Sequence, residues 1–584
     1  MKKRFSRVLA LLLTLLILVG CNMVTPNTEQ EFPEDTSSLT DLLCWTSEEF
    51  LEALKTYQPS QTIQLYPGTY QLSEAIFLKE SVTIVGEKTD NEDEKVIIEW
   101  HIAKDEPNTP LFQVEAKGVV FANLIINNIV DKTLGASSRN NEKKIDDRIT
   151  LNIISGSAKL VNCSIDTGGT SGIVALKDTL LIMEHCVLGN CLLAIKIESF
   201  ASALLNDCDI SQVGMGILLL SGANSKIIDC RISDGNDGIL FYPNEFYQGE
   251  KNAASYQDYR EEKEEEFVEG TNAILENCEI FNINGNGLSI VGNTTPIVKN
   301  CKIHHCASTG ITVFDGPSIL GRNAVFENCM IEENEGINVR IMNASPIFRD
   351  CTIVNAKGKK DAIPEKERDG LIVSGSCIWV IHGGEPKFIN CQISSKYGYE
   401  LDLESLVGVG YGVNATFESC TFTGSEINSF LLTFHQKGES LVKQCTIKEA
   451  DVEAAIVFGG ANVRFEDSVF ESNEIGLFCR GDGMISVKNC FFNDNRCGIN
   501  VQEKGEANVY HSRFTHSGVA VLMEDQAKGT FENNEISDSK MFGVVVSSEE
   551  PIVFRSNKLK NNIVHWLIQC RGDQLQRIDN EPNE

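Results

Sequence analysis

Hydrophobic and polar residues alternate along most of the chain in short runs that return at a regular distance. In Val325 to Ile331, for example, Phe326, Cys329 and Ile331 are expected to face inward, and Glu327 outward. The alternation slips by one residue at Asn328, so the chain must bend there. The run therefore predicts two short strands joined by a tight bend.

The inward position after the bend recurs at intervals that are most often 22 or 23 residues. Of the sixteen residues directly before it, eleven are Asn or Asp, which tolerate a left-handed backbone better than other non-glycine residues. About eight residues later a Gly followed by an aliphatic residue, as in Gly310-Ile311, predicts a turn into another strand. Three strands and three turns in ~22 residues predict one coil of a parallel β-helix.

This pattern resembles the pectate-lyase-like superfamily of right-handed parallel β-helix proteins, over roughly residues 45–575. The front of the chain extends the resemblance. Residues 46–54 predict a short amphipathic helix capped by Thr46 or Ser47, and Leu65 to Tyr70 and Val82 to Gly86 are similar to a first coil. The predicted fold is all-β: a single right-handed parallel β-helix of about 18 coils with a short N-terminal capping helix.

The remaining segments complete the predicted organisation. Residues 1–20, four of them basic, predict an export signal, and Leu18-Val19-Gly20-Cys21 resembles a bacterial lipobox. By that resemblance Cys21 would be acylated, for instance with palmitate, and would anchor the protein to the cell membrane or cell surface, outside the cytoplasm. An ordinary signal peptide with a chance Cys is the alternative.

Five segments follow from these signals. They are a signal peptide at 1–20, a tether at 21–44, a cap and first coil at 45–100, the β-helix with loop insertions at 101–562, and a C-terminal plug and tail at 563–584.

The net charge of the chain limits the classes of partner that it is expected to bind. The formal net charge is −31, and removal of the four basic residues in 1–20 makes it −35. Such a surface repels nucleic acid and also argues against an unbridged polyuronate. A neutral or amino-sugar glycan fits more easily, and we expect a monomer.

The chain has 20 cysteines, and twelve of them occupy the recurring inward position. Stacked thiols that point the same way meet disulfide torsions poorly, so we expect a buried ladder of free thiols that act as small hydrophobic groups. These twelve are Cys163, Cys186, Cys208, Cys230, Cys278, Cys301, Cys329, Cys351, Cys391, Cys420, Cys445 and Cys490.

Four coils are longer than the others, measured from Gly238, Gly310, Gly370 and Gly398 to the next inward Cys. We expect their extra loops to leave from one corner of the solenoid, after the strand that follows each Gly. Seven of the eleven tyrosines lie in or beside two of these coils. Because aromatic faces suit sugar rings, this predicts a glycan groove; a solvated helix or flap around residues 256–266 is the alternative. The candidate contacts are Tyr247, Tyr256, Tyr259, Trp379, His382, Glu385 and Tyr411.

The sequence contains only weak candidates for catalytic residues. Asp234 and Asp237 form the closest carboxylate pair and could share a proton or bind Ca²⁺, although a simple turn is the favoured interpretation. His304-His305 has metal-ligand residue types, but adjacent side chains on an extended segment diverge, so no metal site is predicted. Arg340 should point outward as a weak candidate base or anion contact. No cofactor is required, and Ca²⁺ is left open.

Three hypotheses follow, because fold alone does not give function. The first is a lipid-anchored protein that binds polysaccharide or another cell-surface glycan in a mid-rod groove. The second is a polysaccharide lyase, epimerase or glycosidase that uses acids such as Asp234 and Asp237. The third is a rigid adhesin or spacer that binds protein partners.

Overall fold

The structure is a computed structural model. It describes residues 41–581 apart from the internal ranges 89–94, 102–109, 130–147, 243–270, 293, 317–322, 359–374, 398–404, 426–429 and 571–573. Within this part of the chain, the one long α-helix runs from Ser47 to Thr56, and nearly all other regular structure is parallel β-strand. No helix among the described residues is long and apolar enough to cross a membrane.

Successive coils add parallel strands to three sheets, which we number in the order in which the chain visits them. The first sheet, which precedes each Asn or Asp bend, contains Leu42–Cys44, Gln61–Leu65, Val82–Gly86, Val119–Ala122, Ser157–Val161, Leu180–Glu184, Ser202–Asn206, Asn224–Ile228, Asn272–Glu276, Ile297–Lys299, Val325–Glu327, Ile347–Arg349, Lys387–Ile389, Thr416–Glu418, Gly438–Lys443, Ala461–Glu466, Met484–Lys488, Glu506–Tyr510, Lys528–Glu532, Ile552–Arg555 and Leu575–Ile578.

The second and third sheets are joined by Val187–Ile197 and Asp209–Leu220, which run through both. The second sheet also contains Gly68–Leu72, Val96–His101, Ile125–Ile129, Ser164–Asp166, Arg231–Gly235, Glu279–Ile283, Lys302–His304, Met330–Glu332, Thr352–Val354, Gln392–Ser394, Thr421–Thr423, Thr446–Lys448, Val469–Glu471, Phe491–Asn493, Arg513–Thr515, Glu535–Ser537 and Lys558–Lys560. The third sheet also contains Ile76–Leu78, Phe112–Val114, Ile149–Ile153, Ser171–Ala175, Asp237–Tyr242, Leu288–Val291, Thr309–Gly316, Ile337–Ala344, Gly375–Ile381, Ser405–Gly410, Phe430–His435, Glu453–Phe458, Ile475–Cys479, Cys497–Val501, Val519–Met523, Phe542–Val546 and Val564–Ile568.

The predicted bend is confirmed at every coil where it was expected. All sixteen residues before the inward position have a left-handed backbone, with φ between 50° and 57°. The twelve cysteines that follow are 0–2% exposed, and none of the described cysteines forms a disulfide. The bend leads the chain from the first sheet into the second within one residue, so that an inward residue follows at once and fills the core between these two sheets.

The second turn needs glycine because successive coils approach closely there. A Cβ on Gly498 would lie 2.5 Å from the carbonyl oxygen of Ala520, and one on Gly476 would lie 2.6 Å from that of Gly498. The Gly-aliphatic phrase therefore marks close backbone approach, as well as a turn.

The N-terminal cap matches its prediction. Thr46 caps the helix, its hydroxyl accepts a hydrogen bond from the Glu49 amide, and the Glu49 carboxylate accepts one from the Thr46 amide. The helix buries Phe50 and Ala53 against the first coil. Residues 42–44, placed in the predicted tether, form a strand of the first sheet, whereas the predicted plug and tail contribute the strands Val564–Ile568 and Leu575–Ile578.

The prediction that all four extra loops leave from one corner is wrong. Residues 243–270 and 317–322 follow strands of the third sheet, but 359–374 and 398–404 precede the strands Gly375–Ile381 and Ser405–Gly410. The sequence rule failed because Gly370 and Gly398 are not the turn residues: Cys377 and Leu406 directly precede the inward Ile378 and Val407. In sequence order the extra residues therefore follow third-sheet strands in two of these coils and precede them in the other two.

Candidate functional site: an aromatic ridge on the third sheet

Four consecutive coils each place one aromatic ring at the end of the third sheet, where the chain turns toward the first sheet. His382, Tyr411, His435 and Phe458 form this series, with successive ring centroids 5.3, 5.4 and 5.5 Å apart. In the next coil the Arg480 guanidinium lies 5.3 Å from the centre of the Phe458 ring. We call these five residues the aromatic ridge.

Backbone register explains the alignment. His435 pairs with Gly410 in the preceding coil and with Phe458 in the following one, and Tyr411 directly follows Gly410. His382 and Tyr411 directly follow their strands in left-handed conformation, with φ of 63° and 57°. The ridge therefore uses two adjacent positions, the last residue of the strand in two coils and the residue after it in the other two, with successive coils ~4.8 Å apart.

Gly410 makes room for His435. A Cβ on Gly410 would lie 2.7 Å from His435 Nε2, so the imidazole occupies the space above this glycine. His435 is 7% exposed, and its Nε2 atom is buried with no hydrogen-bond partner among the described residues. Burial lowers the pKa of His435, so its ring is neutral near pH 7. The ridge therefore contains an unsatisfied ring nitrogen beside partly exposed aromatic groups.

The same region holds an unusual carboxyl group. Glu453 begins the strand that ends at Phe458, about 16 Å along the strand from that ring. Burial raises the pKa of Glu453 to about 7, and the positive charge of Arg480 only partly opposes this rise. The Glu453 Oε2 atom is buried and has no hydrogen-bond partner. Near neutral pH a large share of this group is therefore protonated.

Two predicted contacts lie on the ridge, and a third is buried beside it. His382 and Tyr411 are partly exposed and touch each other, as a common site requires. Trp379 was expected on a loop, but it lies within a strand, is 2% exposed and belongs to a small apolar cluster with Met342 and Ile381, against which Tyr411 packs. It is not accessible to a glycan in this structure.

Arg340 faces outward from its strand, as predicted, because it lies between the core residues Val339 and Ile341. It is nevertheless enclosed: it is 4% exposed, and its guanidinium lies 5.4 Å from the Phe314 ring and 5.1 Å from the Trp379 ring. Sequence alternation gives the direction of a side chain from the sheet but not what covers it. Arg340 is therefore a buried part of this apolar cluster.

The other predicted residues are separate from the ridge. Glu385 is exposed in the turn after His382, where its backbone N–H donates to Ser345 Oγ at 2.9 Å. Tyr247, Tyr256, Tyr259 and the lipid-attachment candidate Cys21 lie outside the described residues.

The acidic pair belongs to a coil four turns before the ridge. Asp234 has φ 53° and is exposed, and its carboxylate accepts hydrogen bonds from Ser233 Oγ at 2.8 Å and Asn282 Nδ2 at 3.3 Å. Burial raises the pKa of Asp237, although a backbone hydrogen bond from Asn286 opposes the rise. Asp234 is a bend residue. Asp237, which the favoured interpretation placed at the start of a turn, begins the strand Asp237–Tyr242, and neither acid lies on the ridge.

The prediction that His304 and His305 diverge is wrong. Their Nδ1 atoms lie 2.6 Å apart, because His305 has φ 55° and turns its side chain back toward its neighbour. Among the described residues, no group of three or more His, Cys, Asp or Glu side chains is arranged to hold a metal ion.

Sequence reasoning missed His435, Phe458 and Arg480. Each lies three residues after the inward residue of its third-sheet strand, which is Leu432, Ala455 and Leu477 respectively. An alignment of coils on the third-sheet register, instead of on the Cys position alone, would have placed them in one row.

Comparison with protein families gives a single extended match. The model described as "right handed beta helix region" matches residues 150–256, 266–427 and 432–573, which together exceed half of the chain. A comparison with curated proteins found no match.

Solved structures with a related shape share little sequence with this chain. The A-module of the mannuronan C-5 epimerase AlgE4 of Azotobacter vinelandii is 10% identical with a TM-score of 0.41, over 68% of this chain and 96% of its own. The Dettilon tailspike protein is 12% identical with a TM-score of 0.35, over 67% and 65%. At these values the likeness carries no functional argument. The family match and the three parallel sheets agree, and the chain belongs to the right-handed β-helix family.

Proposed function

We propose that the protein binds an extended, neutral glycan along the aromatic ridge. The observation that carries the proposal is the series of partly exposed rings, one per coil, at His382, Tyr411 and Phe458, with His435 between them. A rigid scaffold that repeats an aromatic face at each coil offers successive stacking positions to successive sugar rings.

A charged group beside the rings can orient a ligand on this apolar surface. His435 does not do so, because its Nε2 atom is buried against Gly410. Arg480 places a guanidinium over Phe458 and can donate to hydroxyl oxygens. With a net charge of −31 the protein repels polyanions at long range, which favours a neutral ligand.

The test is a glycan array with the full-length protein, followed by titration of the best neutral ligand. Tyr411→Ala and Phe458→Ala are each expected to weaken binding about tenfold or more, because aromatic anchors carry much of the energy in such contacts. Phe491→Ala is the matched control. Phe491 is also partly exposed with an arginine over its ring, Arg513 at 5.7 Å, but it lies on the second sheet. Equal losses in all three variants would contradict a site on the ridge.

A second candidate function is polysaccharide cleavage, and Glu453 is the observation in its favour. A carboxylic acid with a pKa near 7 suits a general acid. Product analysis on bound glycans decides between the two functions: new reducing or unsaturated ends that disappear in Glu453→Gln would establish an enzyme, whereas unchanged glycan supports binding alone.

The anchor remains part of the proposal. Acylation at Cys21 would hold the β-helix at the outer side of a bacterial membrane as a monomer, within reach of surface glycans. Mass spectrometry of the mature N-terminus would show a lipid-modified Cys21, and an unmodified N-terminus there would contradict it.

A further inference from the structure

The outer face of the second sheet carries a second constellation, built around His304 and His305. The two Nδ1 atoms lie 2.6 Å apart. One of the two must carry a lone pair toward the other, because two N–H groups cannot point at each other at this distance. Which ring supplies the lone pair depends on what His304 does with its other nitrogen.

The second nitrogen of His304 is held by a carboxylate. His304 Nε2 lies 3.1 Å from Glu279 Oε1, and the other oxygen of this carboxylate lies 3.2 Å from Arg231 Nε. The Arg231 guanidinium pairs with this carboxylate, so Glu279 is ionised and accepts a hydrogen bond from Nε2–H. The tautomer follows: His304 Nδ1 carries the lone pair.

The His304 ring is also fixed in place. It stacks on Phe281 with ring centres 5.4 Å apart and an angle of 8° between the planes, and Arg231 covers Phe281 at 5.2 Å. His304 is 9% exposed. An imidazole that donates its rear N–H to a carboxylate and presents the other nitrogen is the arrangement that orients metal-bound histidines.

We propose that His304 Nδ1 and His305 Nδ1 together bind one divalent transition-metal ion, with water completing its coordination. Imidazole nitrogen suits Cu²⁺, Ni²⁺ and Zn²⁺, and Cu²⁺ binds tightest at such a site. Metal–nitrogen bonds of about 2.0–2.1 Å at a right angle need the nitrogens about 2.9 Å apart. A small rotation of the exposed His305 ring, at the end of the strand Lys302–His304, supplies this opening. The site is independent of the glycan proposal.

The test is titration of the full-length, metal-free protein with Cu²⁺, followed by calorimetry and electron paramagnetic resonance, then with Ni²⁺ and Zn²⁺. The wild-type protein is expected to bind Cu²⁺ with a two-nitrogen signature and with higher affinity than Ni²⁺ or Zn²⁺. His305→Ala, an exposed change that leaves the core intact, should remove this signature. Glu279→Gln should weaken binding about 10–100-fold while keeping two nitrogens.

His185→Ala is the matched control. His185 is also an exposed bend residue with its Nδ1 2.7 Å from a carboxylate, Asp207, but it has no second imidazole. Loss of the two-nitrogen signature in His305→Ala and its retention in His185→Ala would support the site. Equal Cu²⁺ binding by the wild-type protein and His305→Ala would overturn it, as would a wild-type protein with no two-nitrogen signature.

Discussion

Columns of aromatic rings run along this rod both inside it and on its surface. Inside, Phe326, Phe348, Phe388 and Phe417 stack with centroids 4.4, 5.0 and 5.1 Å apart and planes within 11° of parallel. On the surface, the rings of the aromatic ridge are 5.3–5.5 Å apart, with angles of 33°, 78° and 19°. The four interior rings are therefore nearly parallel, whereas the ridge rings are not.

The difference separates what the fold requires from what a site requires. The interior column fills the space beside the Cys position in four consecutive coils, and all four of its rings are 0% exposed. The ridge also spans consecutive coils, but its rings are tilted differently and three of them are partly exposed. Uniform stacking therefore accompanies the buried core, and varied, partly exposed rings accompany the candidate site.

The largest effect is expected from the interior column. Phe388→Ala removes a fully buried ring between two stacked neighbours and should lower the free energy of unfolding by about 3–5 kcal/mol. Denaturant unfolding measures this loss. Phe388→Leu keeps most of the volume and should cost much less. A loss below ~1 kcal/mol for the alanine variant would mean that the interior column does not carry the stability assigned to it.

The interior of the β-helix could be predicted from the sequence because its bend and Cys positions repeat. Asn328 and its counterparts predicted the bends, and the cysteines after them predicted the core, since both follow from steric limits that act equally in every coil. The capping residue Thr46 was likewise readable, because a helix N-terminus needs an acceptor at that position.

Only part of the aromatic ridge could be predicted from the sequence. His382 and Tyr411 were candidates because of their residue types. Their contact with His435 and Phe458 depends on the third-sheet register. Cys377 and Leu406 obscured this register, because they replace the expected turn glycine. Burial was the second failure. Nothing in the alternation around Arg340 or Trp379 indicates that outward side chains are enclosed, because that depends on other parts of the chain.

An effect of intermediate size on stability is expected at Glu453, because the pKa of this carboxyl group depends on how well the third-sheet surface excludes water. Its folded pKa of about 7 exceeds the unfolded value of ~4.3, so the folded state binds more protons between these pH values. This contribution to stability is complete below pH ~4.3 and is lost as pH rises through 7, by about 1–3 kcal/mol.

Glu453→Gln should remove that slope, so the variant becomes more stable than the wild type at pH 8 when both are unfolded in denaturant across pH 4–8. Glu279→Gln is the opposite control. The pKa of Glu279 is lowered, so its contribution is present above its unfolded pKa and is lost as pH falls. An unchanged slope in Glu453→Gln would show that solvent reaches this carboxyl group.

The smallest effect on stability is expected on the ridge itself. Phe458 is partly exposed and contacts His435 on one side and Arg480 on the other, so Phe458→Ala leaves no closed cavity and should cost less than about 1 kcal/mol. The same denaturant measurement that reports Phe388→Ala reports this variant, and the two values should differ by at least a factor of three. If Phe458→Ala were as destabilising as Phe388→Ala, the ridge would be part of the core, and a loss of glycan binding in that variant would reflect unfolding instead of a missing contact. A ridge that costs little stability and yet is kept free of the repeating pattern is available for a ligand.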